Sequence, residues 1–432
     1  MRFLDVFLYE FNHFRKNISK VITYLIFVFA SIYSIYNGFN LQHVQQDTIA
    51  NITEENRAKI EKFSNWFEKI NTKPNALDVL SYIPSYAIKQ PSPLLALGIG
   101  QAEQYGYYKT ITNWSSTYDN DMVEEISNPE RLVNGNIDFS FLVIFLLPVL
   151  LIILTYNIKG FEQDFNFDKL IVIQFGSMEK WVLIRFIFYV LLLFFTVLFF
   201  VFFVAIINNV LFSHFLNIGS LIILLTTYIF SFSIIFYLLI IKSSSSSEIA
   251  FKMISIWLLI CVVVPGSVHQ LASIQYPVNY MTEYLDSNRK ETYEVFDLPT
   301  DSLHARLVKI YPNLHTSQSE KYYEINQKNK RNVISAIVNH MNKRAIDKIE
   351  KKNDAKNQFI RSTYWFNPIS FVQNKWNIYT DTDYYSYKEY RVNVQQTIDK
   401  KISLVIFEPW YDRKVTNSIY QNYLKALNPI FN

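Results

Sequence analysis

From Phe139 to Tyr156 the chain runs for 18 residues without one charged side chain. At that length a buried core helix gives way to a bilayer-crossing helix as the explanation. Fourteen of the 18 are Leu, Ile, Val or Phe. On insertion scales such a run gains roughly 4–8 kcal/mol by entering a membrane. It starts after Asp138 and stops before Lys159, Glu162 and Asp164, so both of its ends are wet. Four other segments repeat the pattern: 21–38, 182–209, 219–241 and 249–269. Half of the 432 residues are hydrophobic, and Lys, Arg, Asp and Glu crowd between these windows. The expectation is a mainly α, polytopic membrane protein with five transmembrane helices, the third long enough to tilt.

Lys and Arg in short flanks set the orientation. Arg2, Arg15, Lys16 and Lys20 precede the first span, Lys159, Lys169 and Lys180 lie between the second and third, and Lys242 follows the fourth. The loop NVLFSHFLN between the third and fourth has none. The N-terminus is therefore expected in the cytoplasm. Residues 39–136 and 270–432 then form two mostly helical extracytoplasmic domains, and the C-terminus lies outside. The first span reads as a retained anchor, because its basic leader is long and no small-x-small site follows it.

Within residues 1–20, Leu4, Phe7, Leu8, Phe11, Phe14 and Ile18 draw one apolar stripe, which predicts an interfacial helix on the cytoplasmic surface. Residues 52–70 read as a helix rising from the first span, with Ile60, Phe63, Phe67 and Ile70 on one face. Ile334, Ile337, Val338, Met341, Ala345 and Ile349 predict a long amphipathic helix within 319–357, whose other face carries Lys330, Arg331, Lys343, Arg344 and Lys348. Those cations face either solvent or lipid head groups. The stretch TDTDYYSYKEY, with Trp365, Trp376 and Trp410, fits either an aromatic belt at the membrane surface or packing in a core.

No residues for chemistry stand out. The chain has no GxxxxGK[ST], so it cannot hydrolyse nucleotide by a P-loop. No HExxH occurs, one cysteine (Cys261) and seven scattered His give no metal-ligand spacing, and the DTD at 381–383 lacks the rest of a calcium loop. Residues 39–136 carry 8 basic and 12 acidic side chains, and 270–432 carry 23 and 17, too even for a nucleic-acid surface. Mid-span positions lack ionisable groups, which argues against an ion-driven carrier. Arg185 and Lys252 sit near the cytoplasmic ends of their spans, where they are expected to snorkel. Catalytic, cofactor-binding and metal residues are accordingly expected to be none. Pro148 in the second span, and Pro265 with Gly266 in the fifth, are candidate flex points, packing kinks being the plainer reading.

The layout resembles the permease subunit of ABC-2 type ABC transporters, in particular the bacterial subgroup with two large outside segments that is often labelled multicopper-enzyme maturation permease. The residues that carry the likeness are PSPLLALGIG (91–100), NPERLVNGNIDFSFLVIFLLP (128–148), Glu162, Trp257, Pro265, NPISFVQ (367–373) and TDTDYYSY (380–387). The resemblance implies a cytoplasmic segment, here 157–181, that docks on a separate cytoplasmic ABC ATPase holding ATP and magnesium. Phe161, Glu162, Asp164, Phe165, Phe167, Asp168 and Lys169 would make that contact, the aromatics as plugs and the charges as a polar ring. It also implies a second permease chain, identical or a six-span sister, and a bacterial inner membrane. Where the family carries a Gly-Thr-Leu-like turn this chain has FNFDKL, and no sixth span follows residue 269. The soft-metal label finds no donor set here. The alternative is a membrane protein of an ABC complex that transports nothing and does mechanical or sensing work on an envelope partner.

Overall fold

The structure, a computed structural model, describes residues 3–69, 73–118, 137–160, 162, 165, 167–243, 245–277, 287–314 and 327–428. It is largely helical. Helix α1 (Phe3–Lys16) ends at Asn17, whose side chain accepts from the Lys20 amide at 3.2 Å and starts α2 (Ile18–Lys69). This 52-residue helix is the first span and the expected 52–70 helix in one piece. Between Ile18 and Lys73 the chain has one Gly and no Pro, so nothing local interrupts it. Ile70 lies outside the described residues.

Helices α3 (Ala76–Tyr82) and α4 (Phe139–Thr155) follow, separated by the antiparallel strands β1 (Tyr86–Ile88) and β2 (Tyr108–Thr110), with Ala87 opposite Lys109. Next come α5 (Asp168–Phe175), α6 (Met178–Ile207), α7 (Phe215–Lys242) and α8 (Ser246–Gln275). The remainder is α9 (Ser287–Phe296), α10 (Thr300–Ile310), α11 (Gln327–Ser362), α12 (Pro368–Tyr379), α13 (Tyr384–Trp410) and α14 (Asn417–Leu427). Side-chain caps fix the entries. Asp138 starts α4, Ser177 α6, Ser245 α8, Asn367 α12 (with Pro368 at the first position), Asp383 α13 and Thr416 α14. Gly176, at φ 86°, closes α5 in the left-handed conformation.

Among the described residues, four helices are long and apolar enough to cross a bilayer: α2, α6, α7 and α8. The run that opened the sequence reading becomes a shorter apolar helix, Phe139–Thr155. At 1.5 Å per residue it reaches about 26 Å, a few ångströms less than a typical hydrocarbon core of about 30 Å. The chain is thus a mainly α protein with the helices of a membrane protein.

Both proline helices leave α geometry just ahead of the proline. A π turn over Leu142–Leu146 precedes Pro148, and another over Leu259–Val263 precedes Pro265. A proline cannot donate to the carbonyl four residues back, which for Pro148 is that of Ile144. The Tyr228 hydroxyl from α7 donates to that carbonyl, and Trp257 Nε1 from α8 donates to Phe145 O at 3.0 Å. The irregular turn of α4 is held by side chains of its neighbours. Gly266 faces open space.

The segments 39–136 and 270–432 do not make two separate bodies. Ile60, Val79 and Leu80 share one core with Val405, Tyr420 and Leu424, while Ala87 and Ile111 share another with Leu303, Ile337, Ile398 and Trp410. An isolated bridge pairs Asn75 with Lys414. The physical reason is simple: α3 and the hairpin are too short to enclose a core, and α10, α11, α13 and α14 supply the missing faces. The predicted amphipathic helix is α11, with Ile334, Ile337 and Ile349 buried. On its other face, Lys343 reaches Asp399 at 2.9 Å. The three tryptophans divide. Trp376 and Trp410 are core residues, and Trp365 is 85% exposed.

Candidate functional site

Two polar constellations lie at opposite ends of α6. The first surrounds Arg185, one turn into the apolar part of that helix. Sequence reasoning has this side chain snorkelling, yet it is 2% exposed. Its Nε donates to Glu10 Oε2 on α1, and its Nη1 to Glu162 Oε1. Nη1 also donates to Ile158 O at 3.2 Å. Tyr9 and Trp181, whose ring centres are 5.5 Å apart, lie side by side next to the guanidinium, 5.8 and 5.7 Å away. Such stacking suits the weakly hydrated Arg plane in a dry site.

The second carboxylate oxygen of Glu10 accepts from the Tyr189 hydroxyl at 2.5 Å. Lys20 closes the ring: its Nζ donates to that hydroxyl at 3.1 Å and to Leu154 O, at the end of α4, at 2.7 Å. Trp181 Nε1 donates to Glu162 Oε1 at 3.1 Å. Burial alone would raise the Glu10 carboxyl, but His13, 3.6 Å away, and the Arg185 charge bring it down to about 2. For Glu162 burial prevails over Arg185 and pushes the carboxyl up. Its Oε2 is buried with no hydrogen-bond partner among the described residues. Two acids and two bases thus tie α1, α2, α4 and α6 to the segment after α4.

The stripe of α1 is split. Val6, Glu10 and Phe14 are buried, with Phe7 and Phe14 against Phe188, whereas Leu4, Leu8, Phe11 and Ile18 are exposed. The helix turns Glu10 toward Arg185 and leaves these apolar residues on its outer face.

The expected contact residues of 157–181 separate. Glu162 is internal, so its charge is not offered to an outside partner in this state. Phe165 and Phe167 are exposed and stack on each other, ring centres 6.2 Å apart. Lys169 is exposed at the start of α5, which opens at Asp168. Phe161 and Asp164 lie outside the described residues. The segment is held from behind. Lys159 Nζ donates to Ile241 O and Ser243 O, and a Cβ on Gly160 would strike Ser246 of α8. Ser243 and Ser246 therefore form a docking edge for this segment. Sequence reasoning missed Glu10, Lys20, Trp181 and Tyr189. A lone acid and a lone base, each inside an apolar stretch, were the available signal.

The second constellation lies where α6 ends. PSPLLALGIG folds as a buried 3₁₀ turn, Leu95–Leu97, which Gly98 leaves in extended conformation. Trp376 Nε1 donates to Leu97 O at 2.8 Å, the Ile99 amide to Asp138 Oδ2 at 3.1 Å, and the Gln101 amide to Thr382 O at 2.9 Å. Asn208, at the end of α6, donates to Pro93 O and to Gln42 Oε1. Glycines permit the contact: a Cβ on Gly38 of α2 would sit 2.6 Å from Ala96 Cα, and one on Gly100 2.6 Å from Thr382 Oγ1. PSPLLALGIG, the start of α4, Trp376 (three residues beyond NPISFVQ) and TDTDYYSY, far apart in sequence, meet in this one place.

Together these features define a helical membrane-embedded protein whose apolar helices are clamped by charges at one end and by backbone contacts at the other. Among the described residues no cluster of His, Cys, Asp or Glu could hold a metal ion. No protein-family model, curated protein or solved structure matches this chain.

Proposed function

We propose that the protein is the transmembrane subunit of an ABC-2 type transporter, moved by a separate cytoplasmic ATPase. In this reading α2, α4, α6, α7 and α8 make five spans, α4 being short enough to need a locally thin bilayer. The α1 end faces the cytoplasm of a bacterial inner membrane, and the joint body of α3 and α9–α14 stands outside it. The observation that carries the proposal is the Arg185 cluster. A push on the segment after α4 meets Glu162, then Arg185 in a long apolar helix, then Glu10 in the surface helix. A motor needs such an unbroken connection between its docking surface and the helices it moves. Phe165, Phe167 and Lys169 form the exposed part of the docking surface. An apolar groove of about 980 Å³ between α1, α2 and α6, lined by Val28, Tyr36, Leu192, Phe199 and Phe203 among others, offers a face for a second permease chain.

A second reading is mechanical work without transport. The observation favouring it is α2, which joins the membrane region to the outer body without a break. Tagged protein from its native cells should copurify with an ATPase carrying a P-loop. Phe165→Asp with Phe167→Asp should release that ATPase while elution as a folded species is kept. No associated ATPase, or full retention by the variant, would count against the proposal. Uptake or efflux by the complex in liposomes separates transport from mechanical work.

A further inference from the structure

The far end of α2 carries a feature that neither the charge cluster nor the spans require. A cleft of about 560 Å³ opens between α2 and the end of α3, lined by Lys59, Lys62, Phe63, Trp66, Ser81 and Tyr82. The α2 residues sit at spacings of three and four, hence on one face of the helix. At 1.5 Å per residue, Lys59 and Trp66 lie about 32 and 42 Å along the axis from Gly38, beyond the bilayer to which Gly38 is close.

Three rings shape the cleft. Phe63 stacks on Tyr82 with centres 5.1 Å apart and planes 18° apart, and Trp66 leans on Phe63 at 5.1 Å and 34°. Trp66 and Tyr82 meet at 6.5 Å and 45°, forming a notch with Phe63 as its floor. Trp66 is 50% and Tyr82 63% exposed. The floor is braced from below, where Tyr420 packs on Phe63 and Phe67 and bonds Ser64 Oγ at 2.9 Å. Exposed aromatics on a rigid base are what the centre of a protein interface requires. On the rim are two ammonium groups. Lys59 faces Glu55 at 3.8 Å, an exposed pair worth little and easily given up.

We propose that this cleft binds an acidic peptide segment of another protein, an apolar side chain packing against the exposed edges of Trp66 and Tyr82 while carboxylates meet Lys59 and Lys62. A lipid surface is too distant. A glycan would need an open ring face and several side chains to bond its hydroxyls. Here the rings cover one another, and Ser81, the sole neutral hydrogen-bonding side chain besides Trp66 and Tyr82 in the lining, already donates to Asp78 O at 2.7 Å. The inference is independent of the motor reading.

The test uses the full-length protein in detergent, immobilised, with a random Glu/Tyr copolymer as probe and polygalacturonate as the saccharide control. The copolymer should bind with salt-sensitive affinity. Trp66→Ala, and separately Lys59→Glu with Lys62→Glu, should each weaken it at least tenfold. The lysine pair is exposed, so its variant keeps the folded protein available if Trp66→Ala does not fold. No binding, or binding unchanged in the lysine variant, would overturn the proposal. So would polygalacturonate binding more tightly than the copolymer and losing affinity with the same substitutions.

Discussion

The two ends of α6 are fastened by different physics. Around Arg185, long charged side chains reach across from four elements, and the partners are carboxylates, an ammonium and a phenol. Around Leu95–Leu97, main chain lies on main chain, with glycines where side chains would intrude and neutral groups as donors. A network of long side chains can keep its pairs while its helices shift by an ångström or two. A glycine contact cannot, since its spacing is set by van der Waals radii. The comparison assigns movement to the first end and a fixed point to the second.

Removing the central cation should have the largest effect. Arg185→Ala leaves Glu10 and Glu162 facing each other in a dry site, an expected loss of about 3–5 kcal/mol. It should appear as a sharply lowered melting temperature in detergent. Replacing the whole set (Glu10→Leu, Lys20→Met, Glu162→Leu, Arg185→Met) should restore most of that stability, because a buried ionic group is often no better than well-packed apolar residues. If the quadruple variant is stable but an ATPase that copurifies with the protein no longer drives work, the cluster transmits force and does more than hold the fold. A stable quadruple variant with full activity would remove that role.

Next comes the fixed point. Gly38→Ala should cost about 1–3 kcal/mol by overpacking against the Ala96 backbone, and Gly38→Val should abolish recovery of folded protein. Equal tolerance of Ala at Gly38 and at Gly219, where a Cβ meets nothing, would break the comparison. Trp376→Phe, which loses the bond to Leu97 O and leaves part of the indole's volume empty, should cost about 1–3 kcal/mol.

A smaller effect lies in the body that α3 and the hairpin share with α10, α11, α13 and α14. Lys401 donates to Ile111 O at 2.7 Å, and burial holds its ammonium down at about 8. The folded chain therefore binds this proton less tightly than the unfolded chain. The cost of burying the charge is fully present below pH 8 and fades as pH rises from about 8 toward 10.5, the ordinary lysine value. The wild-type melting temperature should gain on that of Lys401→Met across this window, and parallel curves would show that the group is not buried as described.

Local signals in the sequence carried much of the fold. Uncharged runs marked the helices now seen at α2, α4, α6, α7 and α8, though α4 came out shorter than a full crossing. Asn367-Pro368, Asp383 and Asp138 announce helix starts by chemistry that acts within three residues. The unbroken α2 was open to view as a stretch free of proline. What stayed hidden depends on partners distant in the chain. Glu10 and Arg185 are separated by 175 positions, and no periodicity says which lone acid meets which lone base. The same holds for the cores that 39–136 and 270–432 share, where Leu80 needs Leu424. Glu162 was singled out for a partner outside the chain and instead faces inward, because local charge pattern cannot distinguish an exposed acid from one with a waiting cation.

The unbroken course of α2 has a geometric consequence. A stiff helix about 78 Å long that pivots near Gly38 turns angle into distance: at 1.5 Å per residue, a tilt of about 10° in its lower third sweeps Lys69 through roughly 8 Å. Small rocking among the lower helices would thus become a stroke at the upper tip, large enough to be followed by a pair of distance labels.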